Sequence, residues 1–356
     1  MTQTPTRVSF ERLSEFIAAA MVKLGLPAAD AAIVAALMAE ADLQGSEGHG
    51  VFRLPQYARR IRAGGVNTRP DIRVVEERAA MALVDGDNGM GHLVMQRAAA
   101  IAVEKARTTG VAWVGSRFSN HAGPASLYAR MPLAHDMIGV YFAVGNANHL
   151  PPWGGIDMLL STNPVAAAFP TGAEPPIVLD MATTVAAYGK VKTKAQRGET
   201  MPEGWMVDRD GRPLTDPKRA DDGFLLPLGG MEAGYKGFGL ALVIGLLAGT
   251  LNGAAMGRDV VDFNKDSSSV TNTGQAIMAI DVAAFGRLDA FKARVDALAR
   301  DLRGSARMTG VAKIALPGDN SNAARTANRR DGIPLAPELL RELDRIADEL
   351  GIAKMV

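Results

Sequence analysis

Between Val111 and Thr184, three runs read as strands: Val111 to Gly115, Met137 to Val144 and Ile177 to Met181. Each leads into a loop crowded with Gly, Pro, Asn, His or Asp. The loops are Ser119-Asn120-His121-Ala122-Gly123-Pro124-Ala125, Asn148-His149-Leu150-Pro151-Pro152-Trp153-Gly154-Gly155, Ser161-Thr162-Asn163-Pro164 and Leu179-Asp180-Met181-Ala182-Thr183-Thr184. No other feature constrains the chain as tightly, because an α/β protein builds its site where rigid strand ends pass into loops.

The flanking segments supply the helices. Leu13, Phe16, Ile17, Ala20, Met21 and Leu24 follow i, i+3, i+4, i+7 spacing up to Gly25, and a second helix runs from Pro27 to Gly45. A Gly-flanked loop, Glu47 to Val51, then enters a short helix on which Arg53 and Tyr57 share a face. Met81 to Val84 predicts a strand and Leu93 to Thr108 a helix. Gly189 to Trp205 reads as charged surface, and Phe238 to Leu251 as an apolar helix buried on most sides. Further on, Ile277 to Ile280 and Val311 to Leu316 predict strands, Leu288 to Leu302 a helix, and Arg325 to Asp331 a charged loop. A last amphipathic helix starts near Ala336.

Composition narrows the chemistry. With 356 residues, 39 basic against 38 acidic and no basic stripe interleaved with aromatics, nucleic acid is not an expected partner. The absence of Cys excludes thiolate catalysis, disulfides and Cys-ligated zinc. The Met1 to Arg7 segment has no apolar signal region, and no stretch approaches the roughly 18 apolar residues of a membrane span, so a cytoplasmic protein away from membranes is expected. The five histidines show neither H-x-x-x-H nor H-E-x-x-H spacing, and no metal site is expected.

Neither the G-x-G-x-x-G fingerprint of a Rossmann site nor a Walker loop is present. His49, between two glycines and just upstream of Arg53, reads either as a general acid beside a carboxylate-binding guanidinium or as a loop histidine beside a surface arginine. His121 either faces a ligand from a loop that opens a helix, where backbone N–H groups could meet phosphate, or caps that helix. Asp180, at a strand end, either orients a histidine or ribose hydroxyl or closes its own turn. Lys190 and Lys236, each beside glycine, read as anion ligands or as solvated side chains. His92, His135 and His149 are weaker candidates, His149 being read as a loop residue beside Trp153.

Taken together, Gly48 to Tyr57, Ser119-Asn120-His121, Trp153-Gly154-Gly155, Thr162-Asn163-Pro164, Leu179 to Thr183, Pro202-Glu203-Gly204-Trp205 and Tyr235-Lys236-Gly237 resemble the type-2 malate/L-lactate dehydrogenases. That family also holds ureidoglycolate, sulfolactate and diketogulonate enzymes and cyclic-imine reductases. The resemblance implies an α/β, non-Rossmann NAD(P)-binding fold of the L-sulfolactate dehydrogenase-like type. It implies a helical N-terminal segment over 1–72 packing with 250–356, and a NAD(P)-binding and catalytic domain over 73–249. A homodimer is implied as well.

The same resemblance implies site roles. The cofactor, NAD or NADP, is expected against His121, Ala122, Gly123, Pro124, Ala125, Asp180, Met181 and Ala182, with Lys190 and Lys236 contributing. Arg53, Tyr57 and Thr162 are expected to bind the carboxylate of a small anionic 2-hydroxy or 2-oxo acid, malate- or lactate-like. His49, His121 and Arg53 form the catalytic set, with either histidine as proton carrier. Two departures bear on this: Gly48 stands where the family carries Ser, and Lys190 where imine-reducing members carry Asp. A catalytically inactive dinucleotide- or acid-binding homologue is the alternative expectation.

Overall fold

The computed structural model describes residues 5–46 and 48–356; Met1 to Thr4 of the N-terminal segment and Glu47 of the Gly-flanked loop lie outside them. Strand β1 (Thr6–Val8) leads to α1 (Phe10–Lys23), α2 (Ala28–Leu43) and α3 (Leu54–Arg62). Ser9 caps α1 by accepting the Arg12 N–H at 3.1 Å, and Leu13, Phe16, Ile17, Ala20 and Met21 form its buried stripe, as the spacing predicts.

A seven-stranded sheet follows. Its strands are β2 (Arg73–Arg78), β3 (Met81–Asp85), β4 (Val111–Ser119), β5 (Met137–Ala143), β8 (Val165–Phe169), β9 (Ile177–Met181) and β12 (Thr273–Asp281), in the order β2-β3-β4-β12-β5-β8-β9. Only β3 and β4 run parallel; every other pairing is antiparallel. A Rossmann sheet is parallel because helices cross over between its strands, so this topology has no place for the glycine fingerprint. Helix α4 (Gly91–Thr109) makes the one crossover, from β3 to β4, and its Val94, Met95, Ala98, Ala99 and Ala102 are buried.

Between sheet strands lie α5 (Ser126–Ala129), the hairpin β6 (Asn148–Leu150) and β7 (Leu160–Ser161), α6 (Tyr188–Arg197), the hairpin β10 (Met206–Asp208) and β11 (Gly223–Leu225), and α7 (Gly230–Ala248). After β12 come α8 (Leu288–Gly304), α9 (Asp319–Asp331), β13 (Ile333–Leu335) and α10 (Pro337–Leu350). β13 pairs with β1, and Leu340, Leu343 and Ile346 of α10 close one core with α1, α2 and α3. The C-terminal end therefore packs on the N-terminal helices. β12, although past residue 250, is instead the middle strand of the sheet, paired with β4 on one side and β5 on the other.

Gly189 to Trp205 is largely surface, as its charge predicts, with α6 running from Tyr188 into it. Three expectations change. Arg325 to Asp331 is the end of α9, a helix with no buried residue, held by ion pairs from Arg325 to Glu40 (2.7 Å) and Arg329 to Glu11 (2.8 Å) in place of an apolar stripe. Val311 to Leu316 pairs with no strand, and its side chains are mostly exposed. Finally, α7 begins at Gly230, well before Phe238, which makes it long and apolar enough by length and composition to cross a membrane. It is not buried on most sides: Leu240, Val243, Leu246 and Leu251, at its end, are 40 to 64% exposed.

Candidate active site

The short helix that carries Arg53 is fixed by its approach. Asp42, buried at the end of α2, accepts the Val51 N–H at 2.7 Å, and a Cβ at Gly50 would collide with that carboxylate. Glycine is required there by contact. The loop so held places His49 and Arg53 in the wall of a cavity of about 160 Å³, together with Gly48, His121, Ala122, Gly123 and Thr162. Six expected site residues thus meet with their neighbour Gly48 around one space, although they span more than a hundred residues of chain.

Arg53 is held on two sides. Its Nε donates to the Gly48 carbonyl at 2.8 Å and its Nη1 to Gln56 Oε1 at 2.7 Å, while the guanidinium carbon lies 5.6 Å from the centre of the Phe263 ring. Gln56 is positioned in turn by the Phe263 carbonyl (3.1 Å) and Asn264 Oδ1 (3.3 Å). A guanidinium with its plane fixed in this way can present its remaining N–H groups to a carboxylate.

The His49 and His121 rings stack at 5.7 Å with 11° between planes, and His121 stacks on Phe263 at 5.0 Å. Tyr57, on the next turn of α3 after Arg53, is buried and its hydroxyl lies 2.6 Å from His121 Nδ1. The rings are partly exposed, but to a narrow cavity with no carboxylate among its described residues, so loss of hydration is the larger cause of their shifts. His49 is lowered to about 4, first by burial and then by the Arg53 charge; His121 is lowered well below 6.5 by the same two causes and by His49 and His92. Both imidazoles are therefore neutral near pH 7.

The loop after His121 keeps its small residues against the cavity. Gly123 has φ +79°, and a Cβ there would lie 3.3 Å from His92 Nε2. The helix it opens, α5, is only four residues long, and its Ser126 N–H is taken by Asp180 Oδ2 at 2.8 Å. Asp180 thus orients this loop, and that N–H is not free for a phosphate. Pro124 and Ala125 are buried behind it, while Met181 and Ala182 continue from β9, outside the cavity wall.

Lys190 and Lys236 are exposed and do not line the cavity. Lys192, two residues after Lys190, does. So does His149, which is not a loop residue but part of β6, its ring stacked on Tyr188 at 3.9 Å. Gln56, Lys192, Tyr188, Asn264 and Gln275 were not singled out from sequence. Only Gln56 carried a signal, its place between Arg53 and Tyr57. His92 is fully buried under Tyr57, ring edge to ring at 5.7 Å. His135 lies apart, its Nδ1 2.9 Å from Arg107. Among the described residues no group of three His, Asp or Glu side chains is arranged to hold a metal ion.

A model of the malate/L-lactate dehydrogenase family matches residues 8–344. Malate dehydrogenase of Pyrococcus horikoshii is 38% identical over 351 residues, covering 97% of this chain and 96% of that one. Ureidoglycolate dehydrogenase (NAD(+)) of Escherichia coli O157:H7 is 31% identical, with 97% and 96% covered. The solved structure of sulfolactate dehydrogenase from Methanocaldococcus jannaschii superimposes with a TM-score of 0.89 at 35% identity, over 98% of each chain. By sequence and by fold, the chain belongs to the malate/L-lactate dehydrogenase family.

Proposed function

We propose that the protein is an NAD(P)-dependent oxidoreductase that interconverts a small 2-hydroxy acid, malate- or lactate-like, with its 2-oxo acid. The observation that carries this reading is the convergence of one fixed guanidinium and two neutral imidazoles on a small cavity with no carboxylate in its wall among the described residues. Arg53 binds the substrate carboxylate, and Thr162 adds a hydroxyl from the opposite loop. His49 or His121 holds the proton that moves to or from the substrate oxygen.

The residues present fit a nicotinamide. Ala122, Gly123, Ala143, Gly145 and Ala147 leave part of the wall without bulk, beside Tyr141 and Tyr188, which suits a flat ring. When bound, that ring supplies or accepts the hydride. A larger cavity of about 870 Å³, lined in part by Leu127, Arg130, Arg303 and Lys313, is proposed for the adenosine half. The His121 to Ala125 loop leads toward it, since Leu127 would lie 3.5 Å from a Cβ at Gly123. Arg303 is paired there with Glu174 and Asp319, each at 2.7 Å, which leaves Arg130 and Lys313 for the phosphates of NAD or NADP alike. Asp180, Met181, Ala182, Lys190 and Lys236 stay in the reading as cofactor contacts implied by the family resemblance. The exposed apolar face of α7 is proposed as the surface that a second copy covers in a homodimer.

The test is loss of NADH and, separately, NADPH absorbance with a panel of 2-oxo acids, followed by His49→Gln and His121→Gln. One of the two variants should lose about 10²-fold or more in turnover while still binding cofactor, and that histidine is the proton carrier. Cofactor binding with no turnover on any acid would overturn the enzymatic reading in favour of a binding protein.

A further inference from the structure

Lys192 reaches the cavity from α6, where its Nζ donates to Asn264 Oδ1 at 3.1 Å. That same oxygen accepts from Gln56 Nε2, and Gln56 Oε1 accepts from Arg53 Nη1. Two cations are thus tied to one bridge of neutral amides. An amide can orient a charge but does not neutralise it. Among the described residues neither Arg53 nor Lys192 has a carboxylate partner within ion-pair distance, whereas Lys194, two residues further along α6, pairs with Glu199 at 2.6 Å. Burial and then the Arg53 charge push the Lys192 ammonium below its usual range, and the nearby Asp262 and Asp221, neither within ion-pair distance, only partly offset them.

A single carboxylate occupies Arg53 and leaves Lys192 without an ion-pair partner among the described residues. We infer that Lys192 is a specificity-determining residue that receives a second anionic group, carboxylate or sulfonate, at the end of the acid remote from the Arg53-bound carboxylate. The preferred substrate is then a short dianionic 2-oxo or 2-hydroxy acid. The cavity, about 160 Å³ against the ~300–1,000 Å³ of drug-sized sites, admits only a short carbon chain. This inference rests on the oxidoreductase reading and adds the charge class of its substrate.

The experiment compares the unmodified chain, Lys192→Met and Lys192→Arg with oxaloacetate, sulfopyruvate and pyruvate, and records KM for the reduced cofactor in each. Lys192→Met should lower kcat/KM for the preferred dianion by about 30-fold more than for pyruvate, chiefly through KM, and Lys192→Arg should restore most of it. The ratio of oxaloacetate to sulfopyruvate in the unmodified chain tells carboxylate from sulfonate. Equal losses on pyruvate and on both dianions would overturn the inference, as would a rise confined to the cofactor's KM, which would assign Lys192 to the dinucleotide. Turnover of pyruvate without preference for either dianion sinks the inference and spares the oxidoreductase reading; silence with all three acids removes both.

Discussion

Tyr57 Oη lies 2.6 Å from His121 Nδ1, and the Gly123 N–H approaches the same nitrogen at 3.4 Å. A backbone N–H can only donate, so Nδ1 is the acceptor and the neutral ring carries its proton on Nε2. Burial raises the Tyr57 pKa, which keeps the phenol protonated and able to donate as well. Removing that hydroxyl leaves a buried imidazole nitrogen with one long bond and a free choice of tautomer. Tyr57→Phe should lower kcat by about tenfold or more with little change in cofactor KM. Steady-state kinetics decide; an unchanged kcat would detach Tyr57 from the chemistry.

The charge state of His49 predicts opposite pH dependences for the two directions. With a pKa near 4, only about one ring in 10³ is protonated at pH 7. Reduction of the 2-oxo acid needs the protonated form, so its kcat/KM should rise about tenfold per unit as pH falls from 7 toward 4. Oxidation of the hydroxy acid needs the neutral form and should be flat above about pH 5 as far as this group is concerned. An oxo-acid kcat/KM independent of pH between 5 and 7 would contradict His49 as the donor.

His92 makes a stability prediction separate from catalysis. It is fully buried, neither ring nitrogen has a hydrogen-bond partner among the described residues, and burial lowers its pKa to about 3. In the unfolded chain it titrates at its ordinary value near 6.5, so between those two values the unfolded state binds more protons than the native one. Stability is complete above pH 6.5 and is lost as pH falls, by about 1.4 kcal/mol per unit within that window. His92→Leu should flatten the curve of unfolding free energy against pH between 6.5 and 4 by about that slope. Denaturant titrations at several pH values measure it, and an unchanged slope would mean that His92 meets protons in the native state.

The chain's order of motifs made the site legible in large part, because Gly48 to Tyr57 and Ser119 to Ala125 are local patterns. What joins them is not local. The central place of β12 between β4 and β5 brings Gln275 to the cavity, and no periodicity near residue 275 announces that. Lys192 was hidden for a related reason: α6 carries three lysines and an arginine in ten residues, so the segment reads as charged surface and its one cavity-lining lysine resembles its neighbours. α9 escaped notice in the same way, being stabilised by ion pairs to α1 and α2 that only the folded chain creates. The antiparallel sheet itself explains why a search for the glycine fingerprint finds nothing in a chain proposed to bind a dinucleotide.

Helix α7 supplies the last prediction. Its Leu240, Val243 and Leu246 expose 40, 51 and 46% of their surface, an apolar stripe on a helix whose other face holds buried Ala241, Ile244 and Ala248. Scattered exposed leucines are ordinary, but a continuous apolar helix face is costly in water unless a partner covers it. If a second copy is that partner, a charge placed in the middle of the stripe must be desolvated on association. Val243→Asp should then weaken the dimer by about 10²-fold or more. Phe285→Asp provides the control, since Phe285 is 75% exposed on the turn before α8, away from the stripe. Sedimentation of the unmodified chain should give a dimer, the Val243 variant a concentration-dependent shift to monomer, and the Phe285 variant no change. A monomeric unmodified chain, or equal effects of both substitutions, would reject α7 as the interface.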